Sequence, residues 1–324
     1  MATFSTEFSS ILDKYKFHKL QTYAVSELLG TDYVFNDLGA DTDGKRFRAL
    51  VECGTQLHFS KCNEFGKVVY HLTGANFCRQ RVCPMCQFRK SEKTFAQFLQ
   101  VVRALEADFR FLHLVLTIPN ARTDEELSQG VKILYKGFSR LLGYKSIKRA
   151  FKGVLRCLEV SYNYETDTFH PHLHCLVAVN RSYFNDSKSY ISLDKYREMW
   201  TKSVKSALKS LQLEGGFADS PHLLQASVRA MKPGDYSGVA EVCKYCTKPL
   251  QLDPERSEQN RRFLLVLMTV MKGTRFLQKY GVIKYTFAAL FGESEEDETA
   301  AEQPEAARSV FVEWDSLSQT YREG

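Results

Sequence analysis

With 324 residues, 44% of them apolar and 25% charged, the chain carries enough apolar material for one large core or two smaller ones. No uninterrupted apolar run is long enough to span a bilayer, and Met1-Ala2-Thr3-Phe4-Ser5 lacks the basic-then-apolar plan of a secretory leader. A cytoplasmic protein without a membrane partner is therefore expected. The net charge of +6 conceals an asymmetry: residues 293–324 hold ten acidic and two basic residues, leaving 42 basic against 28 acidic residues, or +14, in residues 1–292. A basic body with an acidic tail fits a polyanionic partner for the body.

In chain order, Thr6 to Leu29 places apolar residues at helical spacing (Phe8, Ile11, Leu12, Tyr15, Leu20, Leu28) and predicts a helix ended by Gly30. Asn36 to Lys45 reads as a loop. Residues 46–90 contain five of the nine cysteines. Ser91 to Ala107 has the stripe of an amphipathic helix, and Phe111 to Pro119 that of a strand. Thr123, with Glu126 three residues on, has the pattern of a capping box and starts a helix that runs to Leu142.

Gly153 to Tyr164 and the stretch after Thr168 predict an antiparallel hairpin around Thr166-Asp167-Thr168. A helix over Leu193–Leu213, a strand over His222–Met231 and a helix over Tyr236–Thr247 follow. Further apolar helical or mixed structure occupies 261–291. The acidic run Glu293-Ser294-Glu295-Glu296-Asp297-Glu298 is not expected to pack. The pattern is α+β around a central antiparallel sheet with flanking helices. Five stretches are expected: an N-terminal segment (1–45), a cysteine-rich zinc module (46–95), a catalytic domain (96–255), an extension (256–292) and a partly disordered acidic tail (293–324).

Cys78, Cys83 and Cys86 bring three thiolates within reach of one tetrahedral ion. A structural Zn²⁺ site needs a fourth ligand, for which Cys53, followed by Gly54, is preferred. Cys62 competes with it, and His58 and His71 are weaker choices. Arg79, Arg81, Arg89, Lys90 and Lys93 surround the module, either as ordinary solvated charge or as a phosphate-contacting surface.

The segment His170-Pro171-His172-Leu173-His174-Cys175-Leu176 alternates as a strand does, which sets His172 and His174 on one face as two ready metal ligands. The plain alternative is a half-buried strand with two incidental histidines. Glu159 sits in the apolar run of the facing strand, where a carboxylate needs a cation or a metal. With the two imidazoles it makes a set suited to a divalent ion that must also bind a phosphate oxygen. The alternative for Glu159 is a Lys or Arg partner, and His170 is the alternative third ligand. Downstream, Glu241 and Tyr245 share a helix face, with Lys244 and Lys248 beside the tyrosine. A phenol is a poor nucleophile until a cation lowers the cost of its phenolate, and Glu241 is placed to accept a proton. A surface helix with an i,i+4 pair is the plain alternative.

These residues resemble the replication initiators of small rolling-circle bacterial plasmids, in the His-hydrophobic-His (HUH) endonuclease superfamily. Five motifs, in the family's order, carry the resemblance: Cys53-Gly54 and Phe77-Cys78 with Cys83-Pro84-x-Cys86 and Arg89; Phe111-Leu112-His113-Leu114-Val115-Leu116-Thr117-Ile118-Pro119-Asn120; Leu158-Glu159-Val160-Ser161-Tyr162-Asn163; His170-Pro171-His172-Leu173-His174; and Glu241-x3-Tyr245-x2-Lys248 with Lys244. They cover about residues 50–250, and Gly273-x-Arg275 with Gly281 continues them.

The resemblance implies an HUH-type sheet and a metal-dependent, site-specific DNA nickase and strand transferase. Tyr245 would form a 5′-phosphotyrosyl link at the plasmid origin and release a 3′-hydroxyl primer. His172, His174 and Glu159 would hold Mg²⁺ or Mn²⁺, and Glu241 would serve termination. The implied partners are double-stranded origin DNA, a single-stranded or hairpin nick site, and a host helicase. A transposase of the same superfamily is the closest alternative. A relaxase is disfavoured because Tyr245 follows the histidines. A zinc-dependent DNA-binding regulator without catalysis is the alternative of a different class.

Overall fold

The computed structural model describes residues 5–30, 44–64, 66–213, 225–245, 252–270, 272–292 and 308–324, without the side chains of residues 244 and 245. In chain order the described elements begin with α1 (Thr6–Leu29), α2 (Lys45–Glu52), β1 (Gln56–Glu64), β2 (Lys67–Ala75), α3 (Pro84–Leu105) and β3 (Phe109–Thr117). Next come α4 (Asp124–Gly143), α5 (Lys145–Ala150), β4 (Phe151–Asn163), β5 (Thr168–Asn180), α6 (Leu193–Leu211) and β6 (Gln225–Ala230). The chain closes with α7 (Ser237–Tyr245), α8 (Ser257–Val270), β7 (Leu277–Tyr280), α9 (Gly281–Phe291), β8 (Arg308–Asp315) and β9 (Thr320–Glu323). This is an α+β fold with two antiparallel sheets flanked by helices. Among the described residues, no helix is long and apolar enough to cross a membrane.

The chain groups into two units, each assembled from separated stretches: Met1–Lys90, Pro249–Met268 and Ser294–Gly324 in one, Ser91–Lys248 and Thr269–Glu293 in the other. In the first unit the sheet order is β2-β1-β8-β9. Helix α1 begins at Ser5, whose hydroxyl accepts from the Phe8 N–H, and ends at Gly30. Its apolar face (Phe8, Leu12, Tyr15, Val25, Leu29) is buried with Leu57, Phe59, Val312 and Tyr321. The acidic tail is thus not a tail throughout. Residues 308–324 carry β-forming Val310, Val312, Trp314 and Tyr321 among their charges, and β8 pairs with β1 from Gln56↔Glu313 to Lys61↔Arg308. The acidic run 293–298 lies outside the described residues, as do 36–43 of the expected loop.

In the second unit the order is β6-β3-β5-β4-β7, every pair antiparallel. Strand β5 lies at the centre and is buried along nearly its whole length, because helices cover both faces of the sheet. One face carries Phe111, Leu155, Leu176 and Ala178 at one end, packed against Phe98 and Val102 of α3, Val239 and Val242 of α7 and Ile283 and Phe287 of α9. At its other end the same face carries Glu159, His172 and His174, so the apolar floor turns polar within one strand.

The N-terminus of α4 is capped by Thr123 Oγ1, which accepts from Glu126 N at 3.1 Å. The returning bond differs from the expected capping box. Glu126 Oε2 accepts from the N–H of Arg122 at 2.7 Å, one residue before the cap. Gly281 has φ +55°, and a Cβ there would stand 2.1 Å from the Lys152 carbonyl oxygen. Glycine is what lets the start of α9 bridge to Gly153 on β4.

Candidate active site

The hairpin register sets Glu159 directly opposite His172 and Cys157 opposite His174. Directly opposed residues share a face, and the three donors converge. Glu159 Oε2 lies 2.8 Å from His172 Nε2 and 3.0 Å from His174 Nε2. All three residues are buried. Burial by itself would raise the pKa of Glu159, but the two imidazoles against it reverse this and hold it at about 2. Burial lowers His174.

The chemistry of this set calls for a cation. His172 Nδ1 donates to the carbonyl of His170 at 3.1 Å. In the neutral ring Nε2 is then a lone pair aimed at a carboxylate, and two acceptors at that distance need a proton or a metal ion between them. The residues present fit a divalent ion, with one carboxylate oxygen and two imidazole nitrogens within 4.8 Å of one another. His170 stands outside the triad. Its Nδ1 donates to Asn120 Oδ1 at 2.6 Å, and burial lowers its pKa to about 4.

Beside the triad lies a histidine to which the sequence reading gave no role. His113 on β3 is 5% exposed, and its Nε2 is 3.1 Å from His174 Nδ1. The two rings are nearly parallel, at 17°. Burial lowers His113 to about 4, so it is a neutral imidazole at physiological pH. Its Nδ1 lies 3.5 Å from Glu241 Oε2 on α7, and Arg229 Nη2 on β6 meets the same oxygen at 2.8 Å. The one available signal was a histidine in the otherwise apolar run Phe111-Leu112-His113-Leu114-Val115. Tyr245 is the last residue of α7, one turn beyond Glu241. The side chains of Lys244 and Tyr245, and all of Lys248, lie outside the described residues.

In the other unit, Cys53, Cys78, Cys83 and Cys86 form one cluster. The Sγ atoms of Cys53 and Cys83 are 3.5 Å apart, those of Cys53 and Cys86 3.5 Å, and those of Cys78 and Cys86 3.6 Å. Four sulfurs around Zn²⁺ at about 2.3 Å would be separated by about 3.8 Å, so the cluster fits a tetrahedral ion. Pro84 opens α3 immediately after Cys83 and puts Cys86 in the first turn. Arg79 takes a left-handed φ of 57°, and its N–H donates to Cys86 Sγ at 3.2 Å. The Cys78 N–H donates to Cys53 Sγ at 3.4 Å.

Hydrogen bonds from the neighbouring thiols pull Cys83 far below the ordinary thiol range. Lys19, fully buried on α1, donates to the carbonyls of Val51 and Cys53 at 2.6 and 2.8 Å. Burial lowers its pKa to about 8, against the pull of Cys53 and Cys83. Cys62 lies apart from this cluster, on the β1–β2 hairpin, with Glu64 and His71.

The family model for "Replication protein" matches residues 69–322. The chain belongs to the replication protein family. Among the curated members similar to it are "Protein rep" of Lactiplantibacillus plantarum, 31% identical over 86% of this chain and 88% of that protein. "Protein rep" of Streptococcus pneumoniae serotype 2 is 31% identical over 76% of this chain and 74% of its own length. "Protein rep" of Staphylococcus aureus is 36% identical over 48% of this chain and 69% of its own. No solved structure matches. The family match spans Cys78, Cys83, Cys86, Glu159, the two histidines, Glu241 and Tyr245, while Cys53 lies before its first residue.

Proposed function

We propose that this replication protein initiates rolling-circle replication of a plasmid as an HUH-type nickase and strand transferase. The observation that carries this reading is the convergence of Glu159, His172 and His174 on one buried sheet face, next to the helix that ends at Tyr245. The phenolate of Tyr245 attacks a phosphodiester of single-stranded or extruded origin DNA. The phenol proton is lost to give the phenolate, the Tyr245 Oη–P bond forms as the P–O3′ bond breaks, and the departing 3′ oxygen takes up a proton from solvent to become the 3′-hydroxyl primer. Lys244 and Lys248 stabilise the phenolate or hold the phosphate.

Glu159, His172 and His174 would hold a divalent ion, and the chemistry it would supply there is polarisation of the scissile phosphate. The mixed oxygen and imidazole donors favour Mn²⁺ over Mg²⁺ as the more tightly bound ion. Glu241 accepts a proton from water or from a second attacking group at termination. The tetracysteine cluster is a structural Zn²⁺ site, and residence is cytoplasmic, where the plasmid is.

The test is incubation of the full-length protein with single-stranded origin DNA and Mn²⁺, followed by mapping of the covalently labelled residue. Label on Tyr245 is expected, and Tyr245→Phe should abolish nicking and adduct while leaving origin binding intact. An adduct at another residue, or nicking by Tyr245→Phe, would overturn the assignment. A chain that binds the origin and shows no cleavage in any variant would be a DNA-binding regulator.

A further inference from the structure

We propose that His113 is a positioning residue that couples the metal ligand His174 to Glu241, and so ties the alignment of α7 to the loading of the metal site. The inference rests on the reading that Glu159, His172 and His174 hold a divalent ion. A neutral imidazole has one N–H and one lone pair. When His174 turns its Nε2 lone pair toward the ion, its proton is on Nδ1 and is donated to His113 Nε2, 3.1 Å away. The proton of His113 is then on Nδ1, which faces Glu241 Oε2 at 3.5 Å. Each ring sets the tautomer of the next, and the series ends on a carboxylate that Arg229 also holds at 2.8 Å.

The surroundings favour this order. His113 and His174 are each 5% exposed, so the pair is largely withdrawn from bulk water. An apolar side chain at 113 would remove the acceptor that lies 3.1 Å from the His174 Nδ1. His113 is backed by the sheet, since β3 pairs it with Leu176 on β5 and with Arg229 on β6. Glu241 stands one turn before Tyr245 on a nine-residue helix anchored by buried Val239, Val242 and Cys243. A carboxylate fixed from the sheet side therefore sets the rotation of the last turn of α7. By reciprocity, that carboxylate also stabilises the metal-binding tautomer of His174.

The experiment measures Mn²⁺ binding to the full-length, zinc-containing protein by the paramagnetic resonance of free Mn²⁺, without DNA. His113→Leu should weaken Mn²⁺ at least tenfold. His113→Gln, which keeps an acceptor and a donor, should stay within threefold of the parent protein. Glu241→Gln should weaken it severalfold and add nothing further in the His113→Leu background. Zinc content and Tm report folding in the same samples. If His113→Leu does not fold, the Gln variants at 113 and 241 decide the matter.

Unchanged affinity in Glu241→Gln, equal losses in the Leu and Gln variants at 113, or additive losses in the double variant would each overturn the coupling. Failure of the parent protein to bind Mn²⁺ would overturn the metal reading and the coupling together. Parent binding with no effect of His113→Leu would overturn the coupling alone.

Discussion

Glu159 faces His172 across the β4–β5 pair, and its Oε2 stands 2.8 Å from the ring Nε2 while also meeting His174 Nε2 at 3.0 Å. One carboxylate oxygen thus serves two imidazoles at the base of a buried hairpin. Burial of the groups around it also carries a consequence for stability. His113 and His170 both have pKa values lowered to about 4, in each case first by burial. A folded pKa below the unfolded value of about 6.5 gives stability that is present above pH ~6.5 and lost as pH falls through about 4. Metal-free protein should therefore lose stability between these limits, on the order of 3 kcal/mol at most for buried His113 and clearly less for partly exposed His170. Urea unfolding at stepwise pH checks this, and His113→Gln should flatten part of the slope. A further loss is expected from pH ~4.5 down to about 2 as Glu159, held low by His172 and His174 against its burial, takes up a proton.

Replacement of Glu241 should separate initiation from termination. Glu241→Gln keeps the shape of the helix turn but removes the proton acceptor. Formation of the Tyr245 adduct is expected to continue within about tenfold of the parent, while release of the adduct falls by about a hundredfold or more. A single-turnover assay with end-labelled origin DNA measures both steps.

The cysteine cluster predicts a contrast between Cys83 and Cys62. Cys83→Ser should eliminate stoichiometric zinc and destabilise the first unit by more than about 4 kcal/mol, since Cys83 is fully buried within the cluster. Cys62→Ser should leave zinc content unchanged, because Cys62 sits with Glu64 and His71 on the β1–β2 hairpin. Metal analysis and thermal unfolding of the two variants check both statements.

Gly281→Ala should destabilise the second unit by about 3 kcal/mol or more. A left-handed residue with a Cβ costs about 1–2 kcal/mol, and the contact with the Lys152 carbonyl oxygen adds to it. Denaturant unfolding provides the measurement, with Gly143→Ala, which meets nothing within 4 Å, as the reference.

What the sequence determined by itself was local. The 3.6-residue spacing of Phe8, Leu12 and Tyr15 and the glycine at 30 defined α1 to the residue. Alternation around Leu173 put His172 and His174 on one face, and the turn read at Thr166-Asp167-Thr168, which the structure sets at 164–167, made Glu159 their neighbour. Cys53 was legible as a ligand only as a preference over Cys62, because spacing does not say whether the thiol just before β1 or the one within it joins the cluster.

Tertiary structure alone decided the rest. His113 and His174 are 61 residues apart, and nothing in either neighbourhood encodes that β3 lies beside β5. Lys19 reaches the carbonyls of Val51 and Cys53 from α1, 32 and 34 residues away. Residues 308–324 read as charge until β8 paired with β1 and buried Val312. Periodicity is carried by neighbours along the chain and survives in the sequence. Strand order and cross-sheet contacts depend on which distant surfaces bury each other, and only the folded chain states that choice.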